Sequence, residues 1–579
     1  MVKNNKKILR VCLAQINPKV GDIEGNAEKI IAFLEKARGL KADVAAFPEL
    51  CLSGYPPEDL LFKAHFIKEN LKTLYKIASF SKGIFAIIGF PYAEKGRLYN
   101  AAALVYNGKL FDVYKKIFLP NYGVFDERRY FAPGSTCNVV TFGKDIKIGV
   151  NICEDIWHAH GPQRTQALLA GAGVIINISA SPYQAHRLEE RQQMLSARAK
   201  ENNAYVAYCN LVGGQDELVF DGASLVLDNN GKILARGRQF EEDLVTADLD
   251  LSVLKKPGTK SKKTFFGLPA ASLKTNILPG LESKKQAACA NKVEKALDPL
   301  EEIYAALALG LRDYVLKNNF KKVVLGLSGG VDSALVAVLA VDALGRDNVI
   351  ALTMPSMYSS AATKLDAKKI AANLKIRLIN VPIRAIYSVY LSAMRGYVSG
   401  RTPGIAEQNI QARIRGNLLM AFSNKFGWLV INTGNKSEVS TGYCTLYGDM
   451  AGGFSVLKDV PKGLVYKLAA HRNSCAGAGI IPASVIRRAP TAELKKNQKD
   501  QDTLPPYPAL DRIIDLYVEK NLSLEKIVKR GFSRGVAAWT ISMIDKNEYK
   551  RRQAPPGIKI TPRAFGKDRR MPITNAFSG

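Results

Sequence analysis

Residues 321–344 read KKVVLGLSGGVDSALVAVLAVDAL and place an apolar strand, a glycine-rich loop and a helix in direct succession. Glycine tolerates positive φ and close backbone approach, so the amide groups of such a loop and of the following helix N-terminus are able to cradle phosphate oxygens. The chain then continues as strand, helix and strand over 348–355, 360–373 and 375–382. Strands that alternate with helices of this length predict a doubly wound parallel sheet.

The loop itself, GLSGGVDS (326–333), adds polar side chains to the glycines. Ser328 and Ser333 supply hydroxyl groups, and Asp332 is a candidate ligand for Mg²⁺ bound to the phosphates. The loop has neither the GK[ST] ending of a Walker A motif nor the GxGxxG spacing of a dinucleotide site. An ordinary glycine-rich turn is the alternative interpretation, although the hydroxyls and the carboxylate favour a nucleotide site.

The length of the chain, 579 residues, exceeds what a single hydrophobic core normally supports. From about residue 251 the periodic pattern lapses into stretches rich in Pro, Gly, Ser and Lys. We therefore predict a first domain over 1–255, a linker over 256–295 and a second domain over 296–579.

The first half of the chain alternates apolar strands with polar helical stretches, such as the strand GIFAIIGF (83–90) and the helix RLEERQQMLSARAKENN (187–203). The turns in VYNGKL (105–110) and LDNNGKIL (227–234) are typical of β-hairpins, so part of the sheet must be antiparallel. The first domain is therefore predicted to be an α/β fold in which helices cover a mixed sheet.

The formal net charge of +30 by itself suggests a polyanionic partner such as nucleic acid. The basic residues are spread along the chain without a nucleic-acid-binding motif, so we expect them to form a solvated surface and in part to serve phosphate-bearing small substrates. Eight cysteines occur singly and five histidines form no zinc pattern, which predicts reduced thiols. No apolar run is long enough to cross a bilayer, so we expect a cytoplasmic protein with neither a membrane nor a nucleic-acid partner.

The stretch NICEDIW (151–157) follows an apolar strand and raises the question of whether Cys153 packs or reacts. A free cysteine most often fills space as a small buried residue. A nucleophilic cysteine needs a base, and it also needs a cation or donor for the developing oxyanion. Glu49 and Lys116, at other predicted strand ends in the same half of the chain, offer both.

Three segments carry a family resemblance in this half of the chain. They are PELCLSGYPPEDL (48–60), KIFLPNYGVFDE (116–127) and NICEDIW (151–157). They resemble the catalytic segments of the nitrilase, or carbon–nitrogen hydrolase, superfamily, and the resemblance extends over roughly 8–250. It implies an αββα sandwich for the first domain.

The same resemblance implies a role for each matching residue. Glu49 would be the general base, Lys116 would stabilise the tetrahedral intermediate and Cys153 would carry the acyl group. Glu127 matches a second glutamate that is often found near the site. In the branch of the superfamily that hydrolyses glutamine, the glutamine-binding positions correspond to Tyr122, Ser181 and Arg187.

A second resemblance begins at SGGVDS (328–333), which is similar to the pyrophosphate loop of the N-type ATP pyrophosphatases, enzymes of the adenine nucleotide alpha-hydrolase fold. These enzymes adenylate a carboxyl or carbonyl oxygen, release pyrophosphate and then admit a nucleophile. Further stretches resemble the synthetase domain of the glutamine-dependent NAD synthetases, at 407–417, 428–462, 490–511 and 550–575.

This second resemblance implies three kinds of site in the second domain. ATP would be held by Gly326, Leu327, Ser328, Gly329, Gly330, Val331, Asp332, Ser333 and Thr433. Mg²⁺ would be held by Asp332 and Glu438. Deamido-NAD would be held by Asn409, Glu438 and Lys550.

Together the two resemblances imply one reaction that uses two sites. Cys153 would release ammonia from L-glutamine, and the second domain would adenylate deamido-NAD with ATP and let ammonia displace AMP to form NAD⁺. The family also implies a homo-oligomer with paired synthetase domains. Two alternatives stay open at this point: another glutamine-fed ATP pyrophosphatase amidotransferase, and a basic RNA-binding or tRNA-modifying protein.

Overall fold

A computed structural model describes residues 7–143, 145–254, 272–280, 289, 291–398, 404–475, 477 and 479–577. The chain divides into two compact units. The first comprises Met1–Gln215 and Val219–Leu297, and the second comprises Asp216–Leu218 and Asp298–Gly579. Within the described ranges, no helix has the length and apolar character that crossing a membrane requires.

Short strands dominate the chain up to residue 278, and four helices cover them within the described part. The strands are β1 (Ile8–Gln15), β2 (Val44–Ala46), β3 (Phe85–Glu94), β4 (Arg97–Tyr106), β5 (Lys109–Lys115), β6 (Thr136–Phe142), β7 (Ile146–Ile152), β8 (Val174–Ser179), β9 (Tyr205–Asn210), β10 (Val212–Gln215), β11 (Leu218–Asp221), β12 (Leu225–Leu227), β13 (Ile233–Arg236), β14 (Asp243–Asp250) and β15 (Ser272–Leu278). The helices are α1 (Ile23–Gly39), α2 (Ala64–Ala78), α3 (Pro162–Arg164) and α4 (Arg187–Asn202).

Two sheets of the first unit share one apolar core. The six-stranded sheet has the order β14-β1-β2-β3-β4-β5, and the seven-stranded sheet has the order β13-β12-β9-β8-β7-β6-β15. Val11 and Phe85 from the first sheet belong to the same buried cluster as Ile148 and Ile176 from the second. Helices α1 and α2 contact the first sheet, and α4 contacts the second. This arrangement confirms the predicted αββα sandwich.

The sandwich places three candidate catalytic residues just beyond strand ends. Glu49 follows β2, Lys116 follows β5 and Cys153 follows β7. The chain around Glu49 passes so close to β3 that a Cβ atom on Gly89 would lie 2.3 Å from the Pro48 carbonyl oxygen. Glycine at this position therefore lets two backbone segments meet, and their contact fixes the path of the chain beside Glu49.

The second unit has a small sheet surrounded by helices. Its strands are β16 (Val323–Gly326), β17 (Val349–Thr353), β18 (Arg377–Asn380), β19 (Leu429–Asn432) and β20 (Phe454–Ser455). Its helices are α5 (Pro299–Lys317), α6 (Val331–Leu344), α7 (Ala361–Leu374), α8 (Arg384–Val398), α9 (Ile405–Phe426), α10 (Lys436–Thr441), α11 (Lys462–Cys475), α12 (Ala483–Arg487), α13 (Tyr507–Ile514), α14 (Leu524–Val528), α15 (Arg534–Lys546) and α16 (Glu548–Arg551).

The strand order in this sheet is β18-β17-β16-β19-β20, and every neighbouring pair is parallel. The order confirms the predicted doubly wound sheet. The chain moves from β16 outward to β17 and β18, and it then returns to the other side of β16 with β19. Ligands of such sheets bind at the carboxyl ends of the strands where this reversal occurs. The loop 326–333 lies at that point.

Part of the predicted linker, 256–295, is an ordered strand. β15 pairs with β6 in parallel and forms the edge of the seven-stranded sheet. The side chains of Lys274 and Asn276 both donate hydrogen bonds to Asp112. Because polar contacts of this kind hold the strand, its sequence lacks the regular alternation of apolar and polar residues that usually indicates a strand. Linker positions 256–271, 281–288 and 290 lie outside the described residues.

Gly89→Ala is expected to destabilise the first unit, because the new methyl group meets the backbone on both sides of Glu49. Overpacking of this kind costs about 1–3 kcal/mol. Calorimetry of the full chain should show a lower unfolding temperature for the transition of the first unit. Gly39→Ala is the matched control, since a Cβ atom there meets nothing within 4 Å. Equal unfolding temperatures for the two variants would contradict the close approach.

Candidate active sites

A buried ammonium group, that of Lys116, lies between two glutamates. Its Nζ donates to Glu49 Oε1 at 2.7 Å and to Glu127 Oε1 at 2.8 Å. The side chains of Lys116 and Glu49 have no exposed surface. Burial lowers the pKa of Lys116, but the two carboxylates outweigh burial and hold the pKa well above its ordinary value. Lys116 is therefore a permanent positive charge inside the sandwich.

Asn100 connects the same two carboxylates. Its Nδ2 donates to Glu49 Oε1 at 2.7 Å and to Glu127 Oε2 at 3.4 Å. The backbone N–H of Ala180 donates to the other oxygen of Glu49 at 2.9 Å. Burial raises the pKa of Glu127 to about 7, with Lys116 opposing the rise and Glu49 adding to it. Glu127 is thus a carboxyl group that changes its protonation near neutral pH.

Cys153 begins a tight turn, Cys153–Ile156, directly after β7. Its φ of +43° is left-handed, which is uncommon for a residue other than glycine and is typical of functional sites. Burial, followed by the charge of Glu49, raises the pKa of the thiol well above its ordinary value, while Lys116 lowers it. A thiol in this setting is protonated at neutral pH and needs a base before it attacks a substrate.

Two of the three predicted glutamine-binding residues contact this part of the chain. The Tyr122 hydroxyl donates to Glu154 Oε2 at 2.9 Å. The Arg187 guanidinium stacks on the Trp157 ring, 4.2 Å from its centroid. Ser181 is buried just beyond the end of β8. The structure therefore brings Tyr122 to Glu154, inside the Cys153 turn, and Arg187 to Trp157, directly after it.

The second unit contains a cavity of about 320 Å³ that suits a small molecule. Its wall includes the whole of the loop 326–333 together with Thr433 and Glu438. The basic side chains in the wall are Lys364, Arg415, Lys462 and Arg488. Glycines and cations around one cavity are the features that a polyphosphate requires.

The loop in this wall depends on one glycine and two serines. Gly329 has a φ of +87°, and a Cβ atom there would lie 2.2 Å from the Thr363 carbonyl oxygen, so no other residue fits. Ser333 Oγ donates to the Gly330 carbonyl oxygen at 3.0 Å and accepts from the Ser328 N–H at 3.3 Å. The serines hold the loop in shape at the N-terminus of α6, where the helix dipole favours anions.

Two carboxylates face a lysine in the same cavity. Lys462 Nζ donates to Asp332 Oδ2 at 2.5 Å and lies 3.7 Å from Glu438 Oε1. Burial lowers the pKa of Lys462, but Asp332 and Glu438 outweigh burial and raise it. Burial also raises the pKa of Glu438 to about 8, with Lys462 opposing and Asp332 adding to the rise. The arrangement places two carboxyl groups beside one ammonium group in the cavity wall.

The structure does not bring Asn409 and Lys550 into the described wall of this cavity. Lys550 Nζ donates to the carbonyl oxygens of Gly442 and Cys444 at 2.7 and 2.9 Å. Asn409 Oδ1 accepts from the Thr445 hydroxyl at 2.9 Å. Both side chains therefore hold the segment 442–445, and Cys444 from that segment does line the cavity.

Several site residues carry little signal in the sequence. Asn100 is a polar residue inside the apolar strand β4, and that contrast was its only signal. Lys462 follows Pro461 and resembles an ordinary surface lysine in the sequence. Arg415 and Asp449 line the cavity, and burial raises the pKa of Asp449 to about 6. Neither of these two residues stands out from its neighbours in the sequence.

The fold and the two sites define a carbon–nitrogen hydrolase unit joined to a nucleotide-dependent synthetase unit. Comparison with known families agrees with this class. The family model for carbon–nitrogen hydrolases matches residues 10–256, and the model for NAD synthase matches residues 303–554.

Relatives of the full chain make the assignment more specific. The glutamine-dependent NAD(+) synthetase of Thermotoga maritima is 50% identical over 578 residues, which cover 99% of each chain. That of Aquifex aeolicus is 49% identical over 98% of this chain and 100% of its own. A solved structure of the Acinetobacter baumannii synthetase in complex with ADP is 38% identical, with a TM-score of 0.75, and covers 99% of this chain and 100% of its own. The chain belongs to the family of glutamine-dependent NAD(+) synthetases.

Glu127→Gln should change how stability depends on pH. The pKa of Glu127 is about 7 in the folded chain, against an ordinary value of 4.5. The stability that its buried neutral form contributes is present below the lower value and is lost as the pH rises through the higher one. The variant has no carboxyl group at this position, so its stability does not show this loss. We expect the unfolding temperature of the wild type to fall relative to that of Glu127→Gln between about pH 4.5 and pH 7.

Calorimetry at several pH values across this interval measures the difference. Glu35→Gln, which changes an exposed glutamate on α1, is the matched control and should keep a constant difference from the wild type. A pH-independent difference for Glu127→Gln as well would show that Glu127 does not titrate near neutral pH.

Proposed function

We propose that this protein forms NAD⁺ from deamido-NAD, ATP and L-glutamine and releases AMP, pyrophosphate and glutamate, as the last step of NAD⁺ biosynthesis. One observation carries the proposal: a single chain contains both sites. The first unit holds the buried Glu49–Lys116–Glu127 cluster and Cys153, and the second unit holds the cavity lined by the phosphate loop. The relatives, which are glutamine-dependent NAD(+) synthetases, supply the identity of the substrates.

The first site runs amide hydrolysis through a thioester. Glu49 takes the thiol proton of Cys153, and the sulfur attacks the side-chain amide carbon of glutamine. The fixed charge of Lys116 stabilises the negative charge that develops on the amide oxygen. Glu49 returns the proton to the leaving nitrogen, which departs as ammonia. Water activated by the same base then releases glutamate and restores the thiol.

Glutamine is held by Tyr122, Ser181 and Arg187 in this proposal. Tyr122 bonds to Glu154 inside the Cys153 turn and Arg187 stacks on Trp157 directly after it, which supports a role for both in orienting a substrate at the thiol. The guanidinium of Arg187 carries the charge that a substrate α-carboxylate requires. Ser181 adds a hydroxyl group beyond β8.

The second site activates an acid. The loop 326–333 and Thr433 bind ATP, and the carboxylate of the nicotinate ring of deamido-NAD attacks the α-phosphorus as pyrophosphate leaves. Ammonia then attacks the acyl adenylate and displaces AMP. Both partners of the first step are anions, so positive charge must bring them together. Lys462, Arg415 and Arg488 supply that charge from the wall of the cavity.

In this proposal Asn409, Glu438 and Lys550 form the binding site for deamido-NAD. Glu438 lines the cavity directly. Asn409 and Lys550 act from behind the wall, because their side chains hold the segment 442–445. Their replacement would change the shape of the substrate pocket as well as its charge.

Asp332 and Glu438 are the proposed Mg²⁺ ligands. They fit this ion because Mg²⁺ is commonly bound by one or two carboxylates, with substrate phosphates and water completing its shell. The described residues contain no group of three or more metal-ligating side chains, so a two-carboxylate site is the arrangement available within them. Bound Mg²⁺ would neutralise the triphosphate and favour departure of pyrophosphate. Lys462 neutralises part of the same region from the protein side.

We also propose that the protein is a homo-oligomer in the cytoplasm. Helices α8 and α9 contact each other and expose large apolar side chains, which is typical of protein interfaces. These side chains are Ile386, Val389, Tyr390, Tyr397, Ile405, Met420 and Phe426. The eight cysteines are free thiols, which suits a reducing compartment.

Cys153→Ala should abolish NAD⁺ formation from glutamine and preserve it from ammonium, because only the first site uses the thiol. We expect the glutamine-driven rate to fall at least about a thousandfold. The test measures NAD⁺ formation with each nitrogen donor. Cys475→Ala, which removes an exposed thiol on α11, is the control and should retain both activities. Retention of glutamine-driven activity by Cys153→Ala would rule out the proposed nucleophile.

A further inference from the structure

Asp155 is a buried carboxylate that the proposed chemistry does not use, although it lies two residues after Cys153. The residue has no exposed surface. The carboxylate accepts hydrogen bonds from four donors. We call the carboxylate and these four hydrogen bonds the Asp155 clamp. The donors are the Tyr114 hydroxyl at 2.7 Å and the backbone N–H groups of Phe118 at 2.9 Å, Ile152 at 3.0 Å and Ile117 at 3.1 Å.

The donors belong to the two chain segments that carry the chemistry. Ile117 and Phe118 directly follow Lys116, and both bond to Asp155 Oδ1. Ile152 directly precedes Cys153 and bonds to Asp155 Oδ2. A single carboxylate therefore ties the backbone next to the cation to the backbone next to the nucleophile.

The four hydrogen bonds are what stabilise the buried carboxylate, because an unpaired buried carboxylate would be strongly unfavourable. Burial raises the pKa of Asp155 to about 6, while the amide groups of Phe118 and Ile152, the Tyr114 hydroxyl and Lys116 hold it down. The group is therefore mostly ionised at neutral pH. A carboxylate that only closed the Cys153 turn would bond to Ile152 alone. Three of its four donors instead come from β5 and the segment after it.

We infer that Asp155 is a positioning residue for the glutaminase reaction, which sets the distance and orientation between the Lys116 ammonium and the Cys153 thiol. The inference rests on the proposed function, because it assumes the roles of Lys116 and Cys153. Without the clamp, the Lys116 segment and the Cys153 turn move independently. Misplacement of reacting groups by 1 Å costs about a hundredfold in rate.

Asp155→Asn is the direct test. The amide has nearly the same size, but its Nδ2 is unable to accept from the Ile152 N–H. In the full chain we expect kcat for glutamine hydrolysis to fall about a hundredfold, with KM for glutamine changed by less than about threefold. NAD⁺ formation driven by ammonium should keep its rate, because it bypasses the first site.

A second readout follows the thiol itself. Lys116 lowers the pKa of Cys153, so movement of the ammonium away from the sulfur raises that pKa. Alkylation of Cys153, followed as a function of pH by mass spectrometry of its peptide, should shift to higher pH in Asp155→Asn. A loss of general stability alone would not move this profile.

Tyr114→Phe is the companion variant, because it removes one donor and leaves the carboxylate in place. We expect a smaller fall in kcat, about three- to tenfold, with the same sparing of KM and of ammonium-driven activity. If Asp155→Asn does not fold, Tyr114→Phe decides the question by these criteria.

Unchanged kcat for glutamine, or equal loss of glutamine-driven and ammonium-driven activity, would overturn the positioning role. Cys153→Ala, assayed in parallel, separates this failure from failure of the proposed function. If Cys153→Ala loses glutamine-driven activity while Asp155→Asn keeps it, only the clamp is wrong. If Cys153→Ala keeps that activity, the proposed function of the first site is wrong and the clamp falls with it.

Discussion

The first unit depends on an ammonium group that has no contact with solvent. An isolated buried lysine would lose its proton or disrupt the fold, so Lys116 is stable as a cation only because Glu49 and Glu127 both bond to it. That requirement explains why the sandwich brings several strand ends to one place. The supporting contacts complete the cluster. Asn100 shares Glu49 Oε1 with Lys116 and also donates to Glu127 Oε2, and the Ala180 amide donates to Glu49 Oε2.

The second unit uses a related device for a different purpose. Lys462 also lies between two carboxylates, those of Asp332 and Glu438, but its group lines a cavity instead of a closed core. In both units a cation stands where the proposed reaction develops or gathers negative charge. A low local dielectric strengthens the electrostatic interactions of such a cation, and the surrounding carboxylates hold it in place before the substrate binds. The two sites therefore share a physical principle despite their unrelated folds.

The sequence predicted features whose signals are local. The helix expected at the end of the stretch 321–344 is α6, Val331–Leu344, because a glycine-rich turn marks its start and Gly345 its end. Asn100, Asp155 and Lys462 could not be assigned in this way, since their partners are distant in sequence. Asn100 bonds to Glu49 across 51 positions, and Lys462 bonds to Asp332 across 130. The edge strand β15 was missed for the same reason, because its polar side chains find Asp112 only in the folded sheet.

Nitrogen released at Cys153 is expected to become the amide nitrogen of NAD⁺. The most direct measurement supplies the wild-type protein with deamido-NAD, ATP and glutamine labelled with heavy nitrogen in its side-chain amide, in buffer free of ammonium. Mass spectrometry of the product then locates the label. The proposed transfer predicts NAD⁺ that carries the heavy nitrogen, formed in step with glutamate. Unlabelled NAD⁺, or no NAD⁺ until ammonium is added, would contradict it.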